Sequence, residues 1–371
     1  MRAIRQYLKM IVQNCILPIA YRVFSVKSIE PGLVIMADGH SVKRPVRMDK
    51  MYEGLNNADY KVIEWYNDFQ AMSYMKALVK MIGFMKLYSK ANYVIISDNF
   101  LPVASCRKRK GTFVIQMWHG CGAFKKFGYD TTDDIPEEYI GNVFRNYDLV
   151  TVSGPLSVAP FTSAMRQKPG VCKPVGVSAT DIYYDEGYED ECKKEFFKKY
   201  PKAAGKKILL WAPTFRGSAL DPHVPDSEVF ESLRNKLGEE WFVVIKYHPH
   251  METKGFKSGT DIATERLLPV TDLLITDYSS IIFNYAIYRK PVLLYAPDLE
   301  DYKGSRGFYL DYESLPCEIA VDKEELITGI DRAYKVFDKE RMEKFYQEYM
   351  SGCDGRATER IIKLMKKRYA K

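Results

Sequence analysis

Short apolar runs alternate with stretches of helical period along most of this chain. The runs at 33–37, 60–65, 93–97, 113–117, 149–153 and 173–177 read as strands. Where they are apolar throughout rather than every second residue, burial on both faces of a parallel sheet is implied. Helical spacing fills several intervals, most clearly 68–91. A charged helix over 185–200 stops at Pro201 and leads into a second series, with strands at 207–211, 242–247, 273–276 and 291–295. Two consecutive series of this kind predict an α/β chain with two Rossmann-like domains facing across a cleft. The expected division is a helix over 1–26, a first domain over 27–180, a second over 181–350 and a last helix over 351–371. No internal repeat or low-complexity linker marks the joint.

The first 24 residues mix Arg2, Arg5, Lys9 and Arg22 with Ile4, Leu8, Ile11 and Val12 at helical spacing. Pro18 is expected to bend or end that helix. Gln13 and Asn14 interrupt the apolar stretch, which makes a poor secretion signal. Two readings stand: a basic amphipathic helix lying in the interface of an anionic membrane, or a helix packed on the first domain.

Composition narrows the class. At 371 residues the chain exceeds one ordinary core. Hydrophobic residues make up 46% and charged residues 28%, as in a folded soluble-type chain. Its seven cysteines form no Cys-x-x-Cys pair, which argues for reduced thiols in a cytoplasmic compartment and against a zinc site. No apolar run approaches the roughly 18 residues of a spanning helix. The net charge is only +7, with basic clusters at 107–110 and 366–371. No nucleic-acid motif accompanies them, so an anionic lipid surface is the favoured partner over nucleic acid.

Candidate chemistry gathers just past the strands. Three of the five histidines lie in Trp118-His119-Gly120 and Lys246-Tyr247-His248-Pro249-His250, each after an apolar run. Side chains there point into the crevice at the carboxyl edge of an open sheet. Thr214 and Arg216 follow 207–211, and Lys246 follows the apolar run 241–245. Thr276-Asp277-Tyr278-Ser279-Ser280 precedes a helix, where free N–H groups and two hydroxyls suit a phosphate. Ordinary N-capping explains the two serines equally well. Asp277 either orients a hydroxyl or caps a turn.

These residues also carry a resemblance. Gln116-Met-Trp-His-Gly-Cys-Gly-Ala-Phe-Lys-Lys-Phe-Gly128, Ala212-Pro-Thr-Phe-Arg216, Lys246-Tyr-His-Pro249, Thr276-Asp-Tyr-Ser-Ser280 and Asp298…Tyr302…Arg306-Gly-Phe-Tyr309…Asp311-Tyr312 occur in order over roughly residues 30–320. Together they resemble the CDP-glycerol glycerophosphotransferases, the teichoic acid primases and polymerases of bacteria. The resemblance implies a GT-B fold and transfer of a polyol phosphate from a CDP-polyol, here CDP-glycerol, with release of CMP. The acceptor it implies is a hydroxyl of an undecaprenyl-linked saccharide or a growing polymer. The setting is the cytoplasmic face of the cell membrane, where the protein is peripheral, and neither metal nor cofactor is expected.

Within that scheme His119 is the candidate general base, since an imidazole titrates near neutrality. His248 supports the pyrophosphate or protonates the departing phosphate. Arg216, Lys246, Thr276, Asp277, Ser279, Ser280 and Arg306 are donor-phosphate candidates, because phosphoryl transfer asks mainly for positioning and charge compensation. Lys125, Lys126, Asp298 and Asp311 are candidates for polyol, ribose or acceptor contacts. The chain departs from the family pattern at Cys121-Gly122-Ala123, at Ala179 in the 176–181 turn, at Asn284 and at Cys317. Those departures leave the reaction type intact and the donor and acceptor open. A CDP-ribitol or nucleotide-sugar donor is one alternative, and a non-catalytic membrane scaffold is another. Compact length leans toward priming over polymerisation.

Overall fold

The six strands of the first unit are β1 (Leu33–Asp38), β2 (Lys61–Tyr66), β3 (Tyr93–Ile96), β4 (Phe113–Gln116), β5 (Leu149–Thr151) and β6 (Cys172–Lys173). They pair in parallel in the order β2-β1-β3-β4-β5-β6. The structure is a computed structural model that describes residues 8–132, 134–135, 139–217, 222–237, 239–247, 251, 257–305 and 307–369. The chain divides into two units, one of 1–120, 127–182 and 351–371, the other of 121–126 and 183–350. Residues 121–126, expected in the first domain, thus belong to the second.

The second unit holds β7 (Lys207–Trp211), β8 (Arg216–Gly217), β9 (Pro222–His223), β10 (Trp241–Ile245), β11 (Leu273–Thr276), β12 (Val292–Tyr295) and β13 (Glu318–Ala320). Five of these form a parallel sheet in the order β10-β7-β11-β12-β13, while β8 and β9 make a small antiparallel ladder. Leu209, Leu273, Leu293 and Ala320 are buried in one core with residues of the helices Ser227–Lys236 and Lys323–Lys335. The strand β13 went unpredicted because its three residues, Glu-Ile-Ala, carry almost no pattern.

In each sheet the strand order reverses once. In the first unit β1 continues to β2 on one side while β3 adds on the other, so the switch point lies between β1 and β3. In the second it lies between β7 and β11. Open α/β sheets bind ligands outside the carboxyl ends of the strands at such points.

The last helix, which includes Ala357–Tyr369, packs on Asp49–Asn57 in the first unit. Ile361 and Met365 share a core with Met51, Leu55 and Tyr93, and the Tyr93 hydroxyl donates to the Met365 carbonyl at 2.9 Å. Its start is capped from 176 residues earlier. Asp181 accepts the N–H groups of Ala357 (3.0 Å) and Thr358 (2.8 Å). In the N-terminal helix, the ending expected at Pro18 does not occur, because a π-helical segment, Val12–Ile16, precedes Leu17–Phe24 and the helix runs on to Phe24. Such a bulge accommodates a proline that would otherwise break the hydrogen-bond ladder.

Candidate active site

At the switch point of the first unit, three strand ends deliver polar side chains to one place. β1 ends on Asp38, whose side chain is fully buried and pairs with Arg47 Nη2 at 2.6 Å. Ser97, just past β3, accepts from Arg47 Nε at 2.8 Å and donates to Asp38 Oδ2 at 3.4 Å. Asp98 follows it, and its Oδ2 lies 3.4 Å from His119 Nδ1. That separation is long for a hydrogen bond but leaves the carboxylate facing the Nδ1 edge of the ring. A ring with its hydrogen on Nδ1 turns that hydrogen toward Asp98 and leaves the Nε2 lone pair available.

Gln116, the last residue of β4, ties Asp98 to the residue that precedes His119. Its amide donates to the Asp98 carbonyl (2.9 Å) and its carbonyl accepts from the Trp118 N–H (2.8 Å). Trp118 adopts a left-handed backbone, φ +58°, which a bulky residue enters only under constraint. The indole then stacks on His119 with ring centroids 4.5 Å apart. The histidine side chain stays 46% exposed, open to a reacting hydroxyl. Desolvation by the surrounding protein holds its pKa below the ordinary histidine value. Asp98 works against that, Arg47 and His40 reinforce it, and Asp38 opposes it. The lowered pKa favours the neutral imidazole, the form a general base needs.

Asp98, Ser97, Asp38 and Arg47 were not among the residues picked out from the sequence. The strand-end argument that picked out His119 applies equally to Ser97-Asp98 and to Asp38, so that signal was present. Nothing local singles out Arg47, which reaches the site from the short 3₁₀ turn Val46–Met48.

The second switch point assembles the other group. Thr214, past β7, donates its N–H (3.0 Å) and hydroxyl (2.7 Å) to Asp277 Oδ1, past β11. Asp277 Oδ1 also accepts the Tyr278 N–H at 2.6 Å. The carboxylate thus acts as a turn cap, one of the two readings open for it from sequence. Thr276 is fully buried and donates to the Ala212 carbonyl at 2.7 Å, a bond that joins the ends of β7 and β11. Lys246 is buried, and its ammonium donates to the Thr260 carbonyl at 3.3 Å. Burial and a backbone partner likewise explain its place without a phosphate.

Arg216 is held more tightly still. Its Nε and Nη2 fork onto Asp298 at 2.6 and 3.0 Å, and its Nη1 reaches Asp277 (2.9 Å) and the Thr214 carbonyl (2.8 Å). Burial works to depress its pKa, but Asp298 and Asp277 outweigh it and raise the value. Asp298 Oδ1 also accepts from the Tyr278 hydroxyl at 2.9 Å. Although burial opposes it, bonding to Arg216 and Tyr278 keeps this carboxyl below the usual range.

Ser279 accepts the Ile281 N–H at 3.3 Å, while Ser280, exposed at the start of Ile281–Ala286, makes no side-chain cap. One serine therefore caps and the other presents a hydroxyl to solvent. Lys126 N–H donates to the Gly307 carbonyl, and Lys125 pairs with Phe308 in an antiparallel bridge, its ammonium 5.3 Å from the Tyr302 ring centre. Asp311 caps the 3₁₀ turn Tyr312–Ser314 by accepting the Glu313 N–H. His248, His250 and Arg306 lie outside the described residues. Among the described residues, no cluster of three or more His, Cys, Asp or Glu side chains is arranged to hold a metal ion.

Comparison with known proteins adds to this geometry. The chain is 35% identical over 297 residues to the teichoic acid ribitol-phosphate primase of Bacillus spizizenii, across 75% of this chain and 76% of that protein. It is 32% identical over 287 residues to the teichoic acid glycerol-phosphate primase of Bacillus subtilis, across 72% of each. Among solved structures, a wall teichoic acid polymerase TagF superposes with a TM-score of 0.76 at 19% identity, covering 99% of this chain and 98% of that one. The family model described as CDP-glycerol:poly(glycerophosphate) glycerophosphotransferase matches residues 46–367. The chain belongs to that family.

Proposed function

We propose that this protein transfers a polyol phosphate from a CDP-polyol to a hydroxyl of a lipid-linked saccharide or polyol phosphate chain, releasing CMP. The observation that carries the proposal is the His119–Asp98 pair at the first switch point, in a chain of this family. His119 Nε2 takes the proton of the acceptor hydroxyl as its oxygen bonds to the donor's β-phosphorus. The bond from that phosphorus to the bridging oxygen breaks, and CMP leaves with the electron pair. Ser279 and Ser280 of the second unit face the donor phosphates, with His248 and Arg306 assigned to the same group from sequence. No metal is required by this scheme.

CDP-glycerol is the donor implied by the sequence motifs. The identities support CDP-ribitol as a second reading: relatives named for ribitol phosphate match at 35, 34, 33 and 29%, those named for glycerol phosphate at 32, 30, 26 and 26%. One assay separates them. Purified protein is given each CDP-polyol and a lipid-linked disaccharide, CMP is followed, and products are sized to count the units added. Absence of CMP release with both donors would refute the reading.

The same proposal includes docking on an anionic membrane surface. The helix Leu17–Phe24 packs beside Tyr74–Tyr88 through the buried Leu17 and Tyr21. Leu8, Ile11, Ile19 and Val23 on the first segment are nevertheless exposed, as are Tyr74, Met75 and Val79 on the second. Arg22, Lys76, Lys80 and Lys86 are exposed on the same two helices. Exposed apolar side chains with basic neighbours suit shallow insertion among anionic headgroups. No helix among the described residues is long and apolar enough to cross a membrane.

A further inference from the structure

We infer that Arg216 is a positioning residue, which holds the 277–280 turn in its donor-binding shape and does not itself ligate the donor's phosphates. The inference rests on the reading that the second unit binds a CDP-polyol. Four of the five N–H hydrogens of Arg216 are spent on Asp298, Asp277 and the Thr214 carbonyl. The face of the guanidinium is covered as well, with Tyr278 4.6 Å and Tyr302 5.5 Å from its central carbon to the ring centres. Its side chain is 9% exposed.

The charge balance points the same way. The Arg216 charge is matched by both carboxylates it touches, Asp277 and Asp298, which leaves this guanidinium no unbalanced positive charge to offer a pyrophosphate. What Arg216 does hold together is three separate stretches of chain. Asp277 ties the 212–216 loop to the turn, while Asp298 brings in the segment that follows β12. Tyr278 stacks on Tyr302 with centroids 3.9 Å apart, and Tyr302 stacks on Phe308. The Tyr312 hydroxyl donates to the Asp277 carbonyl at 3.3 Å. Removing a fork from a buried ion pair leaves an uncompensated charge, so the turn cannot keep this geometry without it.

The two roles predict opposite signs for one substitution. If Arg216 bound phosphate directly, Asp298→Asn would free half the guanidinium and remove a repelling charge, and the donor would bind as well or better. If Arg216 positions the turn, Asp298→Asn weakens donor binding by about tenfold. Calorimetric titration of the full chain with CDP-glycerol and CDP-ribitol reads the difference. Arg216→Lys should lose as much affinity as Arg216→Ala, because an ammonium cannot bridge two carboxylates as a fork does. Tyr278→Phe removes one hydroxyl and no charge, and is expected to weaken binding about two- to threefold. Amide hydrogen exchange supplies a readout independent of ligand: the 277–281 amides should exchange faster in Asp298→Asn and in Tyr278→Phe than in the wild type. Unchanged or tighter binding in Asp298→Asn, recovery by Arg216→Lys, or unchanged exchange in both variants would overturn the inference. A wild-type chain that binds neither CDP-polyol would instead refute the donor reading, and the exchange measurement would still decide the role of Arg216 in the turn.

Discussion

His119 and Asp98 make one functional pair whose behaviour follows from charge. Replacing His119 by alanine should lower turnover by about 10²–10⁴-fold with donor affinity nearly intact, because a general base acts in the transition state. Turnover near that of the wild type in the folded variant would remove His119 from the mechanism. The depressed imidazole pKa fixes the direction of the pH profile. The neutral base is present above its folded pKa, which lies below the ordinary value of 6.5, so activity falls as pH drops through that lower value. Asp98→Asn takes away the charge that raises the pKa and should move this acidic limb to still lower pH. Arg47→Gln removes a cation and leaves the Asp38 carboxylate unpaired, and both changes should move the limb upward. Two limbs shifting in the same direction would contradict the arrangement. At the other group, Ser280→Ala should weaken donor binding by about 1.5–3 kcal/mol, the range for a hydrogen bond to a charged group, as measured by calorimetry.

At the scale of elements, the returning C-terminal segment meets the first unit at a crossing of two glycines. Gly176 has φ +91°, and a Cβ built on it would stand 1.9 Å from the Gly352 carbonyl oxygen. A Cβ on Gly352 would in turn stand 2.6 Å from the Gly176 nitrogen. Backbone meets backbone there, so neither partner can rotate aside. Gly176→Ala should therefore destabilise the protein by about 2–4 kcal/mol through overpacking and a strained φ, read as a lower midpoint in denaturant unfolding. A variant as stable as the wild type would show that the segment docks differently. The 176–181 string, which departs from the family pattern at Ala179, thus serves the fold. Gly176 lets the segment approach and Asp181 caps its helix.

For the whole molecule, membrane affinity should divide into an apolar and an electrostatic share. Net charge is modest, and the basic residues that matter flank exposed apolar side chains on two adjoining helices. Each Lys or Arg near an anionic surface contributes about 1 kcal/mol and is screened by salt. The protein should sediment with anionic liposomes at low salt and be partly released at high salt. Met75→Asp combined with Val79→Asp should abolish residual high-salt binding while leaving turnover on a detergent-solubilised acceptor unchanged. Equal binding by this variant would mean that these helices do not contact lipid.

The hydrophobic pattern by itself determined where the strands lie and which residues follow them. β7 and β11 match the expected bounds, and most of the others differ by a residue or two at an end. That is so because strand burial is written locally, in consecutive side chains. His119, Ser279 and Ser280 were accessible to the same argument, since a strand-end residue is named by its neighbours in the chain. Tertiary structure alone decided which strand ends stand side by side. Sheet order brings Asp98 to His119, and Asp298, 82 residues away, to Arg216. A guanidinium near a phosphate-like turn reads as an anion ligand until the carboxylates that neutralise it are known, and these come from other strands. Residues 121–126 join the second unit for a similar reason: Phe124 is buried among Phe283, Phe308 and Tyr312, rings contributed from 159 to 188 residues further on. Local sequence specifies the direction and burial of each segment, whereas pairing across such separations is settled only by which packing buries the apolar surface and leaves no charge alone.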